Sequence, residues 1–395
     1  EFNNLFFERI DEIDDLIIQG INFDHIIQKY NLEKANTFTF DKFGREINSK
    51  VISDLPKNLI ENILRLTDDE PLALMEIVEK YFIVHIVEIK NVQIPEPGPD
   101  QVLLETKAIG LNYIDTYHRS GSYPVPLPSG IGVEASGIIK KIGSKVKNLS
   151  VGDNVAYGGL PIGSYADERI FPADKLVKLP DGITFEIAAS IMTKGLTAFY
   201  LLYKTFPVKS HDTVLFHAAA GGVGQIFCQW AKSIGCKVIG TVGSDEKVSI
   251  AKKNGCDLVI NYSKESFAEK VMNFTKGKGV PVVYDGVGAK TFEDSIACLK
   301  NTGTMVSFGN ASGPVKNIDV KKHIQPKSLF FTRPTGGHYF TTKDLLNEAA
   351  EKLFEQIRFG KVKIEIFKKY KLEDVVQAHE ELEARKIIGP AIIIP

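Results

Sequence analysis

The sequence is poor in the residues from which metal centres and disulfides are built. It has four cysteines in 395 residues, namely Cys228, Cys236, Cys256 and Cys298. None has CxxC spacing, and no histidine cluster lies beside them. The pattern therefore disfavours a zinc site and a disulfide framework, and it indicates reduced thiols of the kind found in the cytoplasm.

The sequence also lacks a charge excess and long apolar runs. Its formal net charge of −1 gives no electrostatic reason to expect nucleic acid or an acidic membrane as a partner. No apolar run approaches the roughly 18 residues of a membrane span, and no signal-peptide pattern is visible. A hydrophobic content of 44% with 25% charged residues is typical of a globular protein, and the length predicts two or three domains.

Three regions differ in their hydrophobic patterning. Residues 1–76 contain amphipathic helical patterns, as in LFFERIDEIDDLIIQG and NFDHIIQKYNL. From residue 77 short apolar runs alternate with glycine and proline, which predicts a β-rich domain. From residue 196 to 334 apolar strands alternate with helices, which predicts a doubly wound parallel sheet and an α/β fold.

The stretch HAAAGGVGQI, residues 217–226, joins a predicted strand to a predicted helix. Ala219, Gly221 and Gly224 occupy the three positions of a dinucleotide fingerprint, written here AxGxxG. The middle glycine lets the backbone approach a pyrophosphate, and the helix N-terminus presents its amides to it. We interpret the turn as a cofactor site; the alternative is a turn that serves only packing.

The residues at the end of the next strand, TVGSDEK, indicate whether the cofactor is NADPH or NAD. An NAD site usually has an acidic residue there for the ribose 2′-hydroxyl. Gly243 and Ser244 are small and neutral, and Lys247 adds a cation that suits a 2′-phosphate. This favours NADPH, although a register shift of one residue would make Asp245 the acidic residue of an NAD site.

Several stretches resemble one family when they are taken together. They are IPEPGPDQVLLETKAIGLNYIDTYHRSGSYP, MTKGLTAFYLL, HAAAGGVGQ, VINY, VSFGNASG and TRPTGGHY. From about residue 93 onward the chain resembles the zinc-free quinone oxidoreductases, the zeta-crystallin type of the medium-chain dehydrogenase/reductase superfamily. The resemblance implies a GroES-like catalytic domain, residues 77–195 and 335–395, interrupted by a Rossmann NADPH-binding domain, residues 196–334. It also implies a homodimer and a cytoplasmic location.

Zinc-dependent relatives carry a cysteine, a histidine and a Gly-His-Glu at positions where this chain has Asn112, Tyr117 and Gly132-Val133-Glu134. Without thiolate or imidazole ligands a zinc site is not expected. The resemblance implies that Asn112 and Tyr117 contact the nicotinamide side, with Tyr117 as the plausible proton donor there.

The resemblance also implies a set of cofactor contacts along the chain. Lys194 and Thr197 would contact the cofactor phosphates and the nicotinamide, and Gly221, Gly222 and Val223 would cradle the pyrophosphate. The remaining positions fall later in the sequence: Ser244, Lys247 and Tyr262 around the 2′-phosphate and adenine, Phe308 and Asn310 along the ribose and nicotinamide, and Arg385 at a phosphate.

We predict NADPH-dependent reduction of a quinone or another conjugated carbonyl compound, with alkenals and enoyl substrates as alternatives. Residues 1–90 weakly resemble the segment after the parvulin domain of periplasmic isomerase-chaperones; a family-specific helical extension is the alternative. In the former case YFIVHIVEI could serve as a borrowed first strand of the reductase. The rival function is a catalytically impaired fusion that acts as a binding or chaperone-like protein.

Overall fold

The computed structural model describes residues 2–32, 37–38, 57–63, 66, 71–77, 80–87, 95–127 and 129–395. The chain divides into two compact units. The first comprises Glu1–Gln93 with Pro126–Pro128, and the second comprises Ile94–Val125 with Ser129–Pro395. Each unit is described by itself below.

The first unit contains three helices and one hairpin among its described residues: α1 (Phe2–Ile18), α2 (Phe23–Tyr30), α3 (Lys57–Ile63), β1 (Leu72–Ile77) and β2 (Lys80–His85). Gly20, with a φ of +74°, follows α1, where the sequence predicts a helix stop. Asn22 caps α2, because its side chain accepts a hydrogen bond from the His25 amide at 2.8 Å. Among the described residues, helices thus occur at Phe2–Ile18, Phe23–Tyr30 and Lys57–Ile63, and a hairpin follows them.

The strand β2 overturns one prediction. Under the fusion hypothesis, the stretch that begins at Tyr81 could serve as a borrowed first strand of the reductase. It pairs instead with β1 in an antiparallel two-stranded sheet, with Ile77 opposite Lys80. Because β1 and β2 are separated by only two residues in sequence, they pair locally as a hairpin. The last part of the stretch, residues 88–89, lies outside the described residues.

The second unit begins with a β-rich part. Its strands are β3 (Gln101–Leu111), β4 (Glu134–Ile142), β5 (Asn154–Gly158), β6 (Glu168–Pro172), β7 (Val177–Lys178), β14 (Lys368–Lys371) and β15 (Ala391–Ile394). They form one sheet in the order β14-β15-β3-β4-β5-β7, and β6 also pairs with β3. The last strand, β15, runs antiparallel to β3. The C-terminal segment therefore returns to the β-rich part, as the family resemblance implies.

The other part of the second unit is a parallel sheet with helices between its strands. The strands are β8 (Thr213–His217), β9 (Lys237–Val242), β10 (Leu258–Asn261), β11 (Val280–Asp285), β12 (Leu299–Ser307) and β13 (Phe330–Thr332). The connecting helices are α6 (Gly222–Ile234), α7 (Glu246–Lys253), α8 (Phe267–Phe274) and α9 (Phe292–Cys298). The strand order is β10-β9-β8-β11-β12-β13. The chain adds β9 and β10 on one side of β8 and then β11, β12 and β13 on its other side, and this change of side marks the expected ligand crevice between β8 and β11. The predicted α/β fold is confirmed.

Helix α5 (Phe185–Tyr200) is the core helix of the second unit. Thr184 caps it by accepting from the Ile187 amide at 3.2 Å. It packs on β3, β4 and β5 on one side and on α6 on the other, so it joins the two sheets. With its continuation to Thr205 it is long and apolar enough to pass as a membrane span, yet 72% of its apolar window is buried inside the unit. This is the behaviour of a core helix, and Lys194 within it is buried.

The remaining helices are α4 (Tyr113–Arg119), α10 (Gly336–Tyr339), α11 (Lys343–Arg358) and α12 (Val375–Glu383). Helix α4 follows directly on β3, and α12 packs against it.

Candidate cofactor and substrate site

The turn after β8 has the geometry of a dinucleotide loop. Ala218 takes the left-handed conformation with a φ of +57°, so the first fingerprint position, Ala219, does not need it. Ala219 is fully buried against the next strand, where a Cβ added at Gly240 would lie 2.7 Å from its own Cβ. A Cβ at Gly224 would lie 2.5 Å from the Ala218 carbonyl oxygen, so glycine is required there. This explains why alanine is tolerated at the first fingerprint position and why glycine is required at the third.

The first turn of α6 has unused hydrogen-bond donors. In the described part of the chain, the amides of Gly222, Val223 and Gly224 donate to no protein acceptor, and Gly221 caps the helix without a side-chain bond. Unpaired amides at the N-terminus of a 13-residue helix form a site for an anion. The turn therefore fits the pyrophosphate of a dinucleotide.

A pair of cations lies beyond the end of β9. Lys247 Nζ donates to the Arg385 carbonyl oxygen at 3.3 Å, and the Arg385 guanidinium donates to Ala311 O at 3.2 Å. Burial, with the repulsion of Arg385 as the next cause, lowers the pKa of Lys247. Ser244 is half-buried at the strand end, and a Cβ at Gly243 would lie 2.9 Å from the hydroxyl oxygen of Tyr262. Two neighbouring cations beside small and hydroxyl groups suit a phosphate dianion.

Asp245 is engaged elsewhere. Its carboxylate accepts from Asn261 Nδ2 at 2.7 Å and is bonded to the Lys264 ammonium. The hydrogen bond from Lys264, followed by that from Asn261, lowers the pKa of Asp245. The carboxylate that an NAD site would need is thus occupied, and the residues present fit NADPH better than NAD.

A buried ionic cluster lies at the end of β3 and the start of β4. The Lys194 ammonium donates to Asn112 Oδ1 at 2.8 Å and to Glu134 Oε2 at 3.1 Å. Asn112 Nδ2 donates to Glu134 Oε2 at 2.6 Å, and the Thr193 amide donates to Glu134 Oε1 at 2.7 Å. A Cβ at Gly110 would lie 2.1 Å from Glu134 Oε2, so the carboxylate lies directly on β3. The structure thus joins Asn112 and Lys194, 82 residues apart, both directly and through Glu134.

A second polar chain runs from this cluster toward the surface. Asp115 Oδ2 accepts from the Asn112 amide at 2.9 Å and from the Tyr165 hydroxyl at 3.0 Å. His379 contacts the same hydroxyl through Nε2 at 3.0 Å and Arg119 through Nδ1 at 2.9 Å. Because Arg119 only donates, His379 Nδ1 accepts and Nε2 carries the proton. Burial, followed by the charge of Arg119, lowers the pKa of His379 to about 4, so the His379 ring is neutral at physiological pH.

Aromatic residues and one arginine form a wall that contains Tyr117. The Tyr117 hydroxyl accepts from the Asn310 amide at 3.2 Å, and burial raises its pKa to about 12. Its ring lies 5.1 Å from that of Tyr123, whose hydroxyl accepts from Arg333 at 3.1 Å. Arg333 also donates to Ser307 O at 2.7 Å, at the end of β12. These bonds tie the residues after α4 to the carboxyl ends of the parallel strands.

The other predicted positions occupy ordinary structural environments. The Thr197 hydroxyl donates to the Thr193 carbonyl oxygen at 2.7 Å, one turn earlier in α5. The Phe308 ring packs 5.5 Å from Phe216 and closely over Gly286, so part of it belongs to the core. Asn310 is half-buried after β12.

Sequence reasoning did not assign several residues that the structure joins to the site: Asp115, Tyr123, Glu134, Tyr165, Arg333 and His379. Four of these residues stand inside stretches that were compared with the family, and that comparison is the signal available for them: Asp115 and Tyr123 in IPEPGPDQVLLETKAIGLNYIDTYHRSGSYP, Glu134 in GVE and Arg333 in TRPTGGHY. His379 and Tyr165 are 214 residues apart in sequence and carry no shared motif.

An open cleft of about 1140 Å³ lies in another part of the second unit, between the loops around Lys145 and Leu176 and helix α11. None of the candidate site residues lines it. Its charged residues are of both signs, so it points to no class of ligand. We therefore locate the site by the convergence of polar groups rather than by cavity size.

The described residues contain no group of three or more His, Cys, Asp or Glu side chains that could hold a metal ion. Near the cluster, both Glu134 oxygens are already bonded to Lys194, Asn112 or Thr193. Glu134 supplies the carboxylate at the positions compared with zinc-dependent relatives, and its two oxygens are therefore already bonded to an ammonium ion and two amides.

The two sheets and the turn define a nicotinamide-dependent reductase of two domains, and comparisons with known proteins agree. The family described as "Alcohol dehydrogenase GroES-like domain" matches residues 98–181, and the family described as "Zinc-binding dehydrogenase" matches residues 222–354. A quinone oxidoreductase of Pseudomonas aeruginosa is 47% identical over 311 residues, which is 78% of this chain and 96% of the relative.

Two further relatives extend this comparison. A crystal structure of Escherichia coli quinone oxidoreductase complexed with NADPH is 46% identical with a TM-score of 0.76, covering 80% of this chain and 96% of that one. A 2-haloacrylate reductase of a Burkholderia species is 40% identical, covering 78% of this chain and 94% of the relative. The chain therefore belongs to the medium-chain dehydrogenase/reductase superfamily, in its zeta-crystallin type. The matched family segments begin at residue 98, and the resemblance of residues 1–90 to isomerase-chaperones stays a prediction.

Proposed function

We propose that this chain is an NADPH:quinone oxidoreductase, which reduces quinones or similar conjugated carbonyl compounds with electrons from NADPH. The observation that carries the proposal is the dinucleotide turn with its cation pair, in a chain 47% identical to a quinone oxidoreductase over nearly the whole of that relative. The free amides of α6 receive the pyrophosphate, and Lys247 with Arg385 receives the 2′-phosphate. Ser244 and Tyr262 complete that end of the site.

The cofactor supplies a hydride when it is bound. The protein's part is to hold the acceptor beside it and to exclude water, because a conjugated carbonyl needs little activation. Tyr117 with Asn310 and Phe308 lines one side of the acceptor site, and the Asn112–Lys194–Glu134 cluster forms its polar end. Tyr117 is a neutral phenol at physiological pH, since burial raises its pKa to about 12, and it can donate a hydrogen bond to a carbonyl oxygen.

Two alternatives differ in their support. Reduction of an activated alkene has one observation in its favour, the 40% identity to a 2-haloacrylate reductase. The binding or chaperone-like reading depended on a replaced first strand. In the structure β2 pairs with β1 in a separate two-stranded sheet, so it does not replace a strand of the reductase.

The homodimer and the cytoplasmic location are part of the same proposal. Both follow from the family resemblance. The four cysteines are buried and form no disulfide, which suits a reducing compartment.

The role of the cation pair can be tested with Lys247→Ala. Loss of one charge-assisted phosphate contact is worth about 1.5–3 kcal/mol, so the KM for NADPH should rise roughly 10- to 150-fold. The KM for NADH should change little, because NADH lacks the 2′-phosphate. Lys252→Ala, an exposed lysine of the same helix α7, is the matched control and should leave both constants unchanged.

Equal effects of Lys247→Ala on NADPH and NADH would contradict the 2′-phosphate assignment. A wild-type preference for NADH would return that role to Asp245. Steady-state rates at varied cofactor concentration, followed by nicotinamide absorbance, separate these results.

A further inference from the structure

Lys194 is held in a way that leaves one of its three hydrogens for a ligand. Two N–H groups are directed at Asn112 Oδ1 and Glu134 Oε2. Among the described residues no third acceptor lies within hydrogen-bond distance of the ammonium. The side chain is only 8% exposed, and that of Glu134 is fully buried. A buried donor without an acceptor is unfavourable, so this one is expected to have a partner when the site is filled.

The route of the side chain places the ammonium beside the cofactor turn. A Cβ added at Gly222 would lie 2.9 Å from Lys194 Cδ and 3.0 Å from its Cε. The stem of Lys194 therefore passes the turn closely, and its end reaches Asn112, the residue that caps α4. Helix α4 also carries Tyr117, which bonds to the Asn310 amide across the crevice. The free N–H thus belongs to the region between the turn and the aromatic wall.

The partners of Lys194 fix its position and balance its charge. Glu134 is held by the Thr193 amide as well as by Asn112, so the carboxylate cannot rotate without breaking these bonds. A buried ion pair is neutral as a whole, yet its positive end can face a ligand. In a site from which water is excluded, such a fixed donor interacts strongly with a developing negative charge.

We propose that Lys194 is the electrophile of the reaction: its third N–H donates to a carbonyl oxygen of the quinone and stabilises the negative charge that reduction leaves on oxygen. This inference rests on the proposed quinone reductase function. It differs from the sequence prediction, which gave Lys194 contacts to the cofactor phosphates and the nicotinamide and none to the acceptor. Asn112 and Glu134 then act as positioning residues.

The chemistry balances in two steps. A quinone that accepts a hydride gains two electrons and one proton, so that one oxygen becomes a hydroxyl and the other an anion. The C=O bond at the second oxygen becomes a C–O⁻ bond, and the Lys194 ammonium donates a hydrogen bond to it. One proton from solvent then converts the monoanion into the hydroquinone. Lys194 keeps its own proton throughout.

The substitution Lys194→Met removes the donor while keeping a long unbranched stem. Loss of one preorganised donor at a developing oxyanion typically lowers kcat by about 10²- to 10³-fold, and we expect that range here. The Kd for NADPH, measured by nicotinamide fluorescence without any acceptor, should stay within about twofold. Lys204→Met is the matched control, because Lys204 follows α5 at the surface, where its ion pair with Glu348 is exposed.

A spectroscopic probe reports the same donor without turnover. The wild-type protein should bind 4-nitrophenol preferentially as the phenolate, seen in its absorbance, and Lys194→Met should lose that preference. Because Lys194→Met removes the counter-charge of the buried Glu134 carboxylate, the double variant Lys194→Met with Glu134→Gln is measured as well. If both variants bind NADPH normally and both lose kcat and the phenolate preference, the proposal is supported.

Two results would overturn it. One is a kcat within about threefold of wild type at saturating NADPH in either variant. The other is a loss confined to the Kd for NADPH, which would return Lys194 to cofactor binding. Failure of the proposed function would look different: the wild-type protein would not reduce quinones, whereas its nitrophenol spectrum would still report the Lys194 donor.

Discussion

Asp115 provides a test of the buried polar chain that does not depend on catalysis. Its carboxyl group is fully buried, Oδ2 accepts from the Asn112 amide and the Tyr165 hydroxyl, and Oδ1 has no partner among the described residues. Burial is the largest cause of a pKa raised from 3.8 to about 7, and the negative charge of Glu134 adds to it. The hydrogen bonds and the charge of Lys194 act in the opposite direction.

The sign of the effect follows from proton linkage. Because the folded protein binds this proton more tightly than the unfolded chain, stability from Asp115 is fully present below pH 4 and is lost as the pH rises to about 7. The rise in the Asp115 pKa from 3.8 to about 7 corresponds to roughly 4 kcal/mol in the free energy of unfolding. In Asp115→Asn this contribution is absent, and one amide oxygen can accept both existing hydrogen bonds.

The assay is thermal unfolding of wild type and Asp115→Asn between pH 4 and pH 8. For a unit of this size 1 kcal/mol corresponds to roughly 2 °C in Tm, so the Tm of the variant should rise relative to wild type by roughly 5–10 °C across the range. Asp181→Asn, at an exposed turn, is the control and should follow wild type at every pH. A difference between Asp115→Asn and wild type that is constant from pH 4 to pH 8 would refute the raised pKa.

Three further predictions concern the turn, the wall and the thiols. Gly224→Ala places a Cβ 2.5 Å from the Ala218 carbonyl oxygen, so the Kd for NADPH in a fluorescence titration should rise at least tenfold; an unchanged Kd would contradict the turn geometry. Arg333→Ala removes the bonds to Ser307 O and the Tyr123 hydroxyl and should lower kcat about tenfold in steady-state assays, with little change in the Kd for NADPH. The four buried cysteines should react with a thiol reagent slowly in the native protein and together after denaturation, and rapid native labelling would show that a thiol is accessible.

Local patterns predicted much of this molecule. The parallel sheet follows from alternating strands and helices, and the turn at residue 217 follows from glycine spacing between a strand and a helix. The tolerance of alanine at position 219 also has a local cause, because the left-handed conformation falls on Ala218. Each of these features depends on neighbours within about 25 residues.

The rest of the site depends on contacts that sequence spacing does not encode. Lys247 meets Arg385 across 138 residues, and Arg119 meets His379 across 260, because the C-terminal segment returns to the β-rich part. The assignment of Asp245 needed the structure, since its partners Asn261 and Lys264 lie on the next strand and its following turn. The sequence predicts a functional role for Lys194, but its contact with the Glu134 carboxylate depends on the pairing of β4 with β3, which the sequence does not encode locally.

At the hairpin of residues 72–85 the sequence analysis missed a local contact rather than a distant one. The apolar stretch at Tyr81 was correctly interpreted as a strand, and its partner was not. A second strand, β1, lies two residues before it, and local antiparallel pairing satisfied its backbone groups. The seven-stranded sheet of the second unit is built without it.

The most direct test of the proposed function mixes the purified full chain with NADPH, and separately with NADH, and follows nicotinamide absorbance as 1,4-benzoquinone is added. We expect rapid oxidation of NADPH that requires both quinone and protein, with NADH oxidised much more slowly. Oxidation of neither cofactor, at concentrations where NADPH fluorescence shows no binding, would contradict it.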